Sequence, residues 1–211
     1  MNKEVLAMTM VRGGSKGLPR KNVLPLLGKP LMVWSIEQVK ESKLISRYVI
    51  STEDKEMKEI ALKHNVEVID RPMELAQDKT SAWEVINNVL EQLEPYKPDA
   101  LVLIQATSPI RKPGLIDKCI KQFLKEEPDS LVTGYQFTDP IWGEPIERRQ
   151  DIKGFFVNDG NVYVFNPDMI RKGDLVGKKW SFVYTSHEEN VEIDDEFDFW
   201  LAGKVLEERM L

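Results

Sequence analysis

The chain has 211 residues, 29 basic and 35 acidic side chains, a net charge of −6, 42% hydrophobic residues and one cysteine. A chain of this length buries about 70% of the surface its unfolded form exposes, enough for one domain without a metal or disulfide staple. The lone Cys119 excludes a disulfide framework and any Cys-ligated zinc or iron–sulfur site, and acidity without a Lys/Arg block excludes nucleic acid as the main partner.

The opening MNKEVLAMTMV has too short and too poorly flanked an apolar run for a signal peptide or membrane span. The expectation is a cytoplasmic protein with no membrane partner. Val5–Val11 reads as a strand, followed by RGGSKGLPRKN, PLLGKP and a helix from near Leu31. RYVIST (47–52) and VEVI (66–69) read as strands, with Met57, Ile60, Ala61 and His64 at helical spacing between them. Val85, Ile86, Val89, Leu90 and Leu93 mark a helix, ALVLI (100–104) a buried central strand, and Ile116, Cys119, Ile120, Phe123 and Leu124 the clearest amphipathic helix. SLVTGY (130–135), NVYVF (161–165) and SFVY (181–184) complete the strands, and a terminal helix carries Phe197, Trp200, Leu201 and Val205. Alternating strands and helices predict a single α/β domain over 1–211, a Rossmann-like, mostly parallel sheet flanked by helices, with an excursion near 136–160. Ligands in such sheets sit beyond the carboxyl ends of the strands, which directs attention to loops 12–22, 70–81 and 105–111.

RGGSKGLPRKN places four cations, Arg12, Lys16, Arg20 and Lys21, within ten residues and interleaves them with Gly13, Gly14 and Gly17. Glycines let backbone N–H groups approach an anion, and the cations offset its charge, so the loop suits a polyphosphate or a solvated basic turn. Neither GxxxxGK[ST] nor GxGxxG can be read through it. Near the other end, VEIDDEFD alternates Glu192 and Asp194 about Ile193; extended backbone puts both carboxylates on one side, where they could hold Mg²⁺. The competing reading makes Asp194, Asp195 and Glu196 a helix cap with first-turn acids. Ser81-Ala-Trp-Glu84 fits a capping box. His64 and His187 carry no catalytic signal, while Arg71 and Gln105 stand just past strands, open to structural or nucleotide contacts.

RGGSKGLPRKN with PLLGKPL, RPMELAQDKTS, LIQATSPIR, RQDIKGFFVNDGNVYVF and VEIDDEFD, in this order, resemble the CMP-sialic acid synthetases and related CMP-sugar cytidylyltransferases. The resemblance covers nearly the whole chain. It implies a nucleotidyltransferase fold of GT-A-like type and a homodimer formed through the excursion. It also implies activation of an acidic 2-keto sugar by CTP and Mg²⁺, with release of pyrophosphate, for surface polysaccharide. Carried over by position, Arg12, Ser15 and Lys21 hold the CTP phosphates, with Asn22 beside them. Arg71 and Ser81 contact the nucleotide, and Gln105 lies between nucleotide and sugar. Lys21, Arg12 and Asp194 are the implied catalytic residues, and Asp194 and Glu192 the implied metal ligands.

The chain departs from that pattern in four places. Glu192 stands where the family has an aspartate. Val157-Asn158-Asp159-Gly160 lacks the arginine that sialic acid enzymes carry before Asn-Gly, Ala106 replaces a proline, and segment 136–155 is shorter than the usual excursion. Two other functions compete: a nucleotidyltransferase or GT-A-like glycosyltransferase using another nucleotide, and a lapsed cytidine-nucleotide binding module.

Overall fold

A computed structural model describes residues 3–140, 148 and 151–210. Its central strand, β1 (Val5–Met10), is apolar at nearly every position because both its faces are covered. Val5 and Ala7 point to one side with Cys119, Ile120 and Phe123 of α4 (Leu115–Glu126). Leu6 and Met8 point to the other with Ile86, Val89 and Leu90 of α3 (Ala82–Gln92). The period-2 strand and period-3.6 helices thus interlock into two helical layers on one sheet. Burial pushes the Cys119 thiol up to about 12, so it packs as a small apolar side chain.

The remaining elements are β2 (Pro25–Leu26), β3 (Lys29–Pro30), α1 (Leu31–Glu41), β4 (Arg47–Thr52), α2 (Lys55–Lys63), β5 (Glu67–Asp70), β6 (Ala100–Ile104), β7 (Ser130–Phe137), β8 (Phe155–Phe165), α5 (Pro167–Arg171), β9 (Trp180–Tyr184) and α6 (Glu196–Met210). The main sheet runs β5-β4-β1-β6-β8-β7-β9. Strands β5, β4, β1 and β6 are parallel, as are β7 and β9, whereas β8 is antiparallel to both β6 and β7. The chain leaves β1 toward β4 on one side and reaches β6 on the other, so a crevice opens between the ends of β1 and β6.

Three details depart from the sequence expectation. Residues 136–137 and 155–160 belong to paired strands β7 and β8 rather than to the excursion, of which 141–147 and 149–150 lie outside the described residues. Strand β8 carries Asn158-Asp159-Gly160 through its middle because the register with β7 shifts between Val132 and Gly134 and Gly160 takes φ +71°. In α6 the buried residues are Ala202 and Leu206, while Phe197 and Trp200 are exposed. Ala202 and Leu206 meet Leu18, Leu26, Ile110 and Ile193 in one apolar cluster, which fastens the 12–22 loop to the segment before α6. Among the described residues no helix is long and apolar enough to cross a membrane.

Candidate active site

A cavity of about 590 Å³ lies at the crevice, lined by loops 12–22, 70–81 and 105–107 and by Asp194. It gathers Arg12, Ser15, Lys21 and Asn22 from the first loop, Arg71 and Ser81 from the second, and Gln105 from the third. Glu192 stands just behind this lining, where Thr107 Oγ1 donates to its Oε1 at 3.4 Å.

Lys21 joins the two ends of the chain. Its Nζ donates to Ile193 O at 2.6 Å and to Asp194 Oδ1 at 2.9 Å. The contact is close because Gly17 has no side chain: a Cβ there would come 2.3 Å from Asp194 O. Asp195, not Asp194, supplies the cap of α6, accepting the Asp198 N–H at 3.0 Å. The helix-start and ligand readings of VEIDDEFD therefore fall on neighbouring residues, and the Asp194 carboxylate stays exposed at the cavity.

The four loop cations divide. Arg12 and Lys16 line the cavity and share Asp78, at 2.9 and 2.6 Å. Arg20, in a left-handed conformation at φ 58°, turns away instead and pairs with Asp54 and Glu56, so it does not belong to the anion site. Asn22 is buried and braces the loop through Nδ2 on Arg12 O at 3.4 Å.

Arg71 is buried and held by Ser51, with Nη2 on its carbonyl at 2.7 Å and Nε on its hydroxyl at 3.2 Å. Burial pulls the guanidinium down to about 10, and Glu53 at 3.9 Å opposes this. Ser81 caps α3 in a full capping box with Glu84 and still faces the cavity. Gln105 accepts from Thr107 Oγ1 at 3.3 Å and donates to Tyr163 OH at 3.4 Å, a hydroxyl that also receives Asn158 Nδ2 at 2.8 Å.

Asp78, Thr107, Arg111 and Asp159 were not singled out from the sequence. Arg111 is fully buried and holds Gln105 O, Asn161 O, Ser35 Oγ and Gln38 Oε1, so it ties the 105–111 loop to β8 and α1. Asp159 receives Thr133, Thr185 and the Asn161 N–H. The signal for Arg111 was its place in the otherwise uncharged run QATSPIR after a buried strand; Asp159 was masked by its resemblance to a surface turn.

Among the described residues no three His, Cys, Asp or Glu converge on a metal site; the neighbouring carboxylates that could hold a divalent cation at the cavity are Glu192 and Asp194. The Glu192 carboxyl is raised above its ordinary range by burial and then by the charge of Asp194. Two carboxylates side by side fit a hard cation completed by substrate oxygens.

A family model described as cytidylyltransferase matches residues 7–166. The N-acylneuraminate cytidylyltransferase A of Danio rerio is 30% identical over 95% of this chain, which spans about half of that relative's length. The post-translational flagellin modification protein B of Campylobacter coli is 28% identical over 99% of this chain and 97% of its own. A pseudaminic acid cytidylyltransferase of Campylobacter jejuni is 30% identical over 76% of this chain and 67% of its own. Two solved structures share the fold. A CMP:2-keto-3-deoxy-manno-octonic acid synthetase complexed with CTP aligns with TM-score 0.78 and 12% identity over 98% of this chain and 99% of its own. A 4-diphosphocytidyl-2C-methyl-D-erythritol synthase of Anaerococcus prevotii aligns with TM-score 0.73 and 13% identity over 98% of this chain and 100% of its own. With the family model spanning β1 to the end of β8, the strands that frame the cavity, the chain belongs to the cytidylyltransferase family.

Proposed function

We propose that this chain transfers the cytidylyl group of CTP to an acidic 2-keto sugar of the nonulosonic type, yielding a CMP-sugar and pyrophosphate. The observation that carries the reading is the bridge from Lys21 Nζ to Ile193 O and Asp194 Oδ1, which sets a cation beside a carboxylate in a cavity already lined by Arg12 and Arg71. Family membership and the names of the relatives support it.

In this reading Arg12 and Ser15 receive the phosphates, and Gly14, where an added Cβ would meet nothing within 4 Å, leaves backbone open to them. Arg71, fixed on Ser51, and Ser81, fixed at the start of α3, face the nucleoside. Asn22 keeps the loop in shape. The anomeric hydroxyl of the sugar attacks the α-phosphorus in line and pyrophosphate leaves. Lys21 faces the negative charge that develops on the phosphoryl oxygens, and Asp194 accepts the hydroxyl proton. Such reactions ask mainly for positioning and electrostatic stabilisation. Glu192 and Asp194 would hold Mg²⁺, which supplies Lewis-acid neutralisation of phosphate charge when bound.

Gln105, Tyr163 and Asn158 form an uncharged hydrogen-bonding side next to this site. Because Val157-Asn158-Asp159-Gly160 lacks the arginine that sialic acid enzymes carry before Asn-Gly, the reading favours an acidic sugar other than sialic acid. A homodimer working in the cytoplasm completes it.

The test is pyrophosphate release with Mg²⁺ from CTP, UTP, ATP or GTP against sialic, legionaminic, pseudaminic and octulosonic acids, with products identified by mass. Release with CTP and one acidic sugar is the expected result. Turnover only with another nucleotide overturns the reading, and CTP binding without turnover on every sugar of the panel leaves two options, an untested sugar or the lapsed binding class.

A further inference from the structure

Asp78 lies in the loop between the short turn Met73–Ala76 and α3, yet its carboxylate reaches across the cavity mouth to the first loop. Each of its oxygens has its own cation: Oδ1 takes Arg12 Nη1 at 2.9 Å and Oδ2 takes Lys16 Nζ at 2.6 Å. Arg12 Nη1 also reaches Ala76 O at 3.5 Å, so the same guanidinium ties the second loop to the first. The hydrogen bond from Lys16 holds the Asp78 carboxyl below its ordinary range, so it is anionic at neutral pH. A carboxylate divided between two cations has the charge and the oxygen spacing of one edge of a phosphate group.

Both pairs are exposed, with side-chain accessibilities of 33% for Arg12, 80% for Lys16 and 45% for Asp78. Exposed ion pairs contribute little net stability and exchange readily. A polyphosphate brings more charge to the same two cations and displaces such a carboxylate without opening the core.

We propose that Asp78 is an internal stand-in for substrate phosphate: it holds Arg12 and Lys16 before the nucleotide arrives, yields them to the phosphates, and recaptures them as pyrophosphate departs. Taking that polyanion to be the triphosphate of CTP rests on the function proposed above. The device weakens affinity for any polyphosphate and shortens the lifetime of the product complex. It also couples the 70–81 loop to phosphate, because displacing Asp78 loosens that loop from the first.

The experiment is calorimetric titration of the full chain with inorganic pyrophosphate, comparing the parent with Asp78→Asn and Asp78→Glu, and a parallel titration with cytidine. Removing the competing charge should tighten pyrophosphate ~3- to 10-fold in Asp78→Asn, the range that surface pairs support. Asp78→Glu keeps the charge and should stay within about twofold of the parent, and cytidine, which has no phosphate, should bind all three alike. In turnover the KM for CTP should fall in Asp78→Asn by the same factor as the pyrophosphate Kd. Equal or weaker pyrophosphate binding by Asp78→Asn overturns the proposal, because the carboxylate would then be bracing the cations. Equal tightening toward cytidine, or no pyrophosphate binding by parent and variant, overturns it too. Since the titration needs no turnover, tightening in a chain that uses no sugar and no CTP would remove the transferase reading and leave the role of Asp78 standing.

Discussion

The guanidinium of Arg111 donates through Nη2 to the backbone carbonyl of Gln105 at 2.6 Å and through Nε to that of Asn161 at 2.9 Å. A buried cation thereby fixes the residue that leads the β6 chain into the cavity. Burial pulls it down to about 10, so it is still charged at pH 7.

Arg111→Ala takes the Arg111 donors from the buried Asn161 carbonyl and from Gln38 Oε1 and leaves Gln105 O only the Ser35 hydroxyl at 3.1 Å, at about 1–3 kcal/mol for each buried group left unsatisfied. Unfolding free energy measured in urea should fall by about 3–5 kcal/mol. Arg111→Lys keeps the charge but not the fork of donors and should recover less than half of that loss. A loss under about 1 kcal/mol in the alanine variant would contradict this account of the loop.

Lys21→Ala removes the donor shared by Ile193 O and Asp194. Turnover, read as pyrophosphate release, should fall about 10²–10³-fold, the loss typical of a charge-stabilising donor, while circular dichroism stays unchanged. Near-parental turnover would remove Lys21 from the chemistry.

Gly17→Ala tests the close approach of the two chain ends. The added methyl would sit 2.3 Å from Asp194 O, backbone that cannot swing aside as a side chain does. Overpacking of this kind costs about 1–3 kcal/mol. The variant should melt lower and lose turnover together, since the shift that relieves the clash also parts Lys21 from Asp194. Unchanged melting and turnover would show that the loop can back away freely.

Asp54 caps α2 through the Met57 N–H at 3.1 Å and pairs with Arg20. The hydrogen bond from Arg20 is the main reason its carboxyl lies below the ordinary 3.8. A lowered carboxylate gives stability that is fully present above its unfolded value and lost as pH falls through the folded value. Asp54→Ala should therefore cost about 1–2 kcal/mol at pH 7. The gap between parent and variant should narrow below pH 3.8 in urea titrations at successive pH values. A gap that widens in acid would refute the pairing.

Chelation tests the acidic pair. With EDTA in excess of Mg²⁺, pyrophosphate release should fall at least ~10²-fold, and Asp194→Asn should give a similar loss that added Mg²⁺ does not restore. Full activity in EDTA would leave Glu192 and Asp194 without a metal to hold.

The central strands and the helices over them were legible because their apolar periods match the faces they bury, as Val5 and Ala7 against Cys119 and Ile120 show. Strand β8 was read only from residue 161, because Asn158-Asp159-Gly160 has the composition of a turn; the irregular pairing with β7 that absorbs it depends on a distant strand. Helix α5, five residues long, has too few turns to show a period. Of the apolar residues read on α6, Leu201 and Val205 pack against the cluster with Leu18 and Leu26 from the other end of the chain, whereas Phe197 and Trp200 are exposed. In the site, eight of the nine residues chosen from the sequence line one cavity and Glu192 stands beside it. Charge and glycine in one loop made that choice accessible. The turning away of Arg20 and the arrival of Asp78 were not legible, because each depends on partners more than thirty residues away.

The bridge between Lys21 and Asp194 also orders events in time. The two residues are 173 positions apart, so at ordinary translation rates the 12–22 loop leaves the ribosome roughly 10–35 s before the carboxylate that pairs with it. Through that interval the nascent chain carries the loop cations without Glu192 and Asp194. In the proposed reading, turnover would wait until synthesis has passed residue 194 and Ile193 has closed on Leu18.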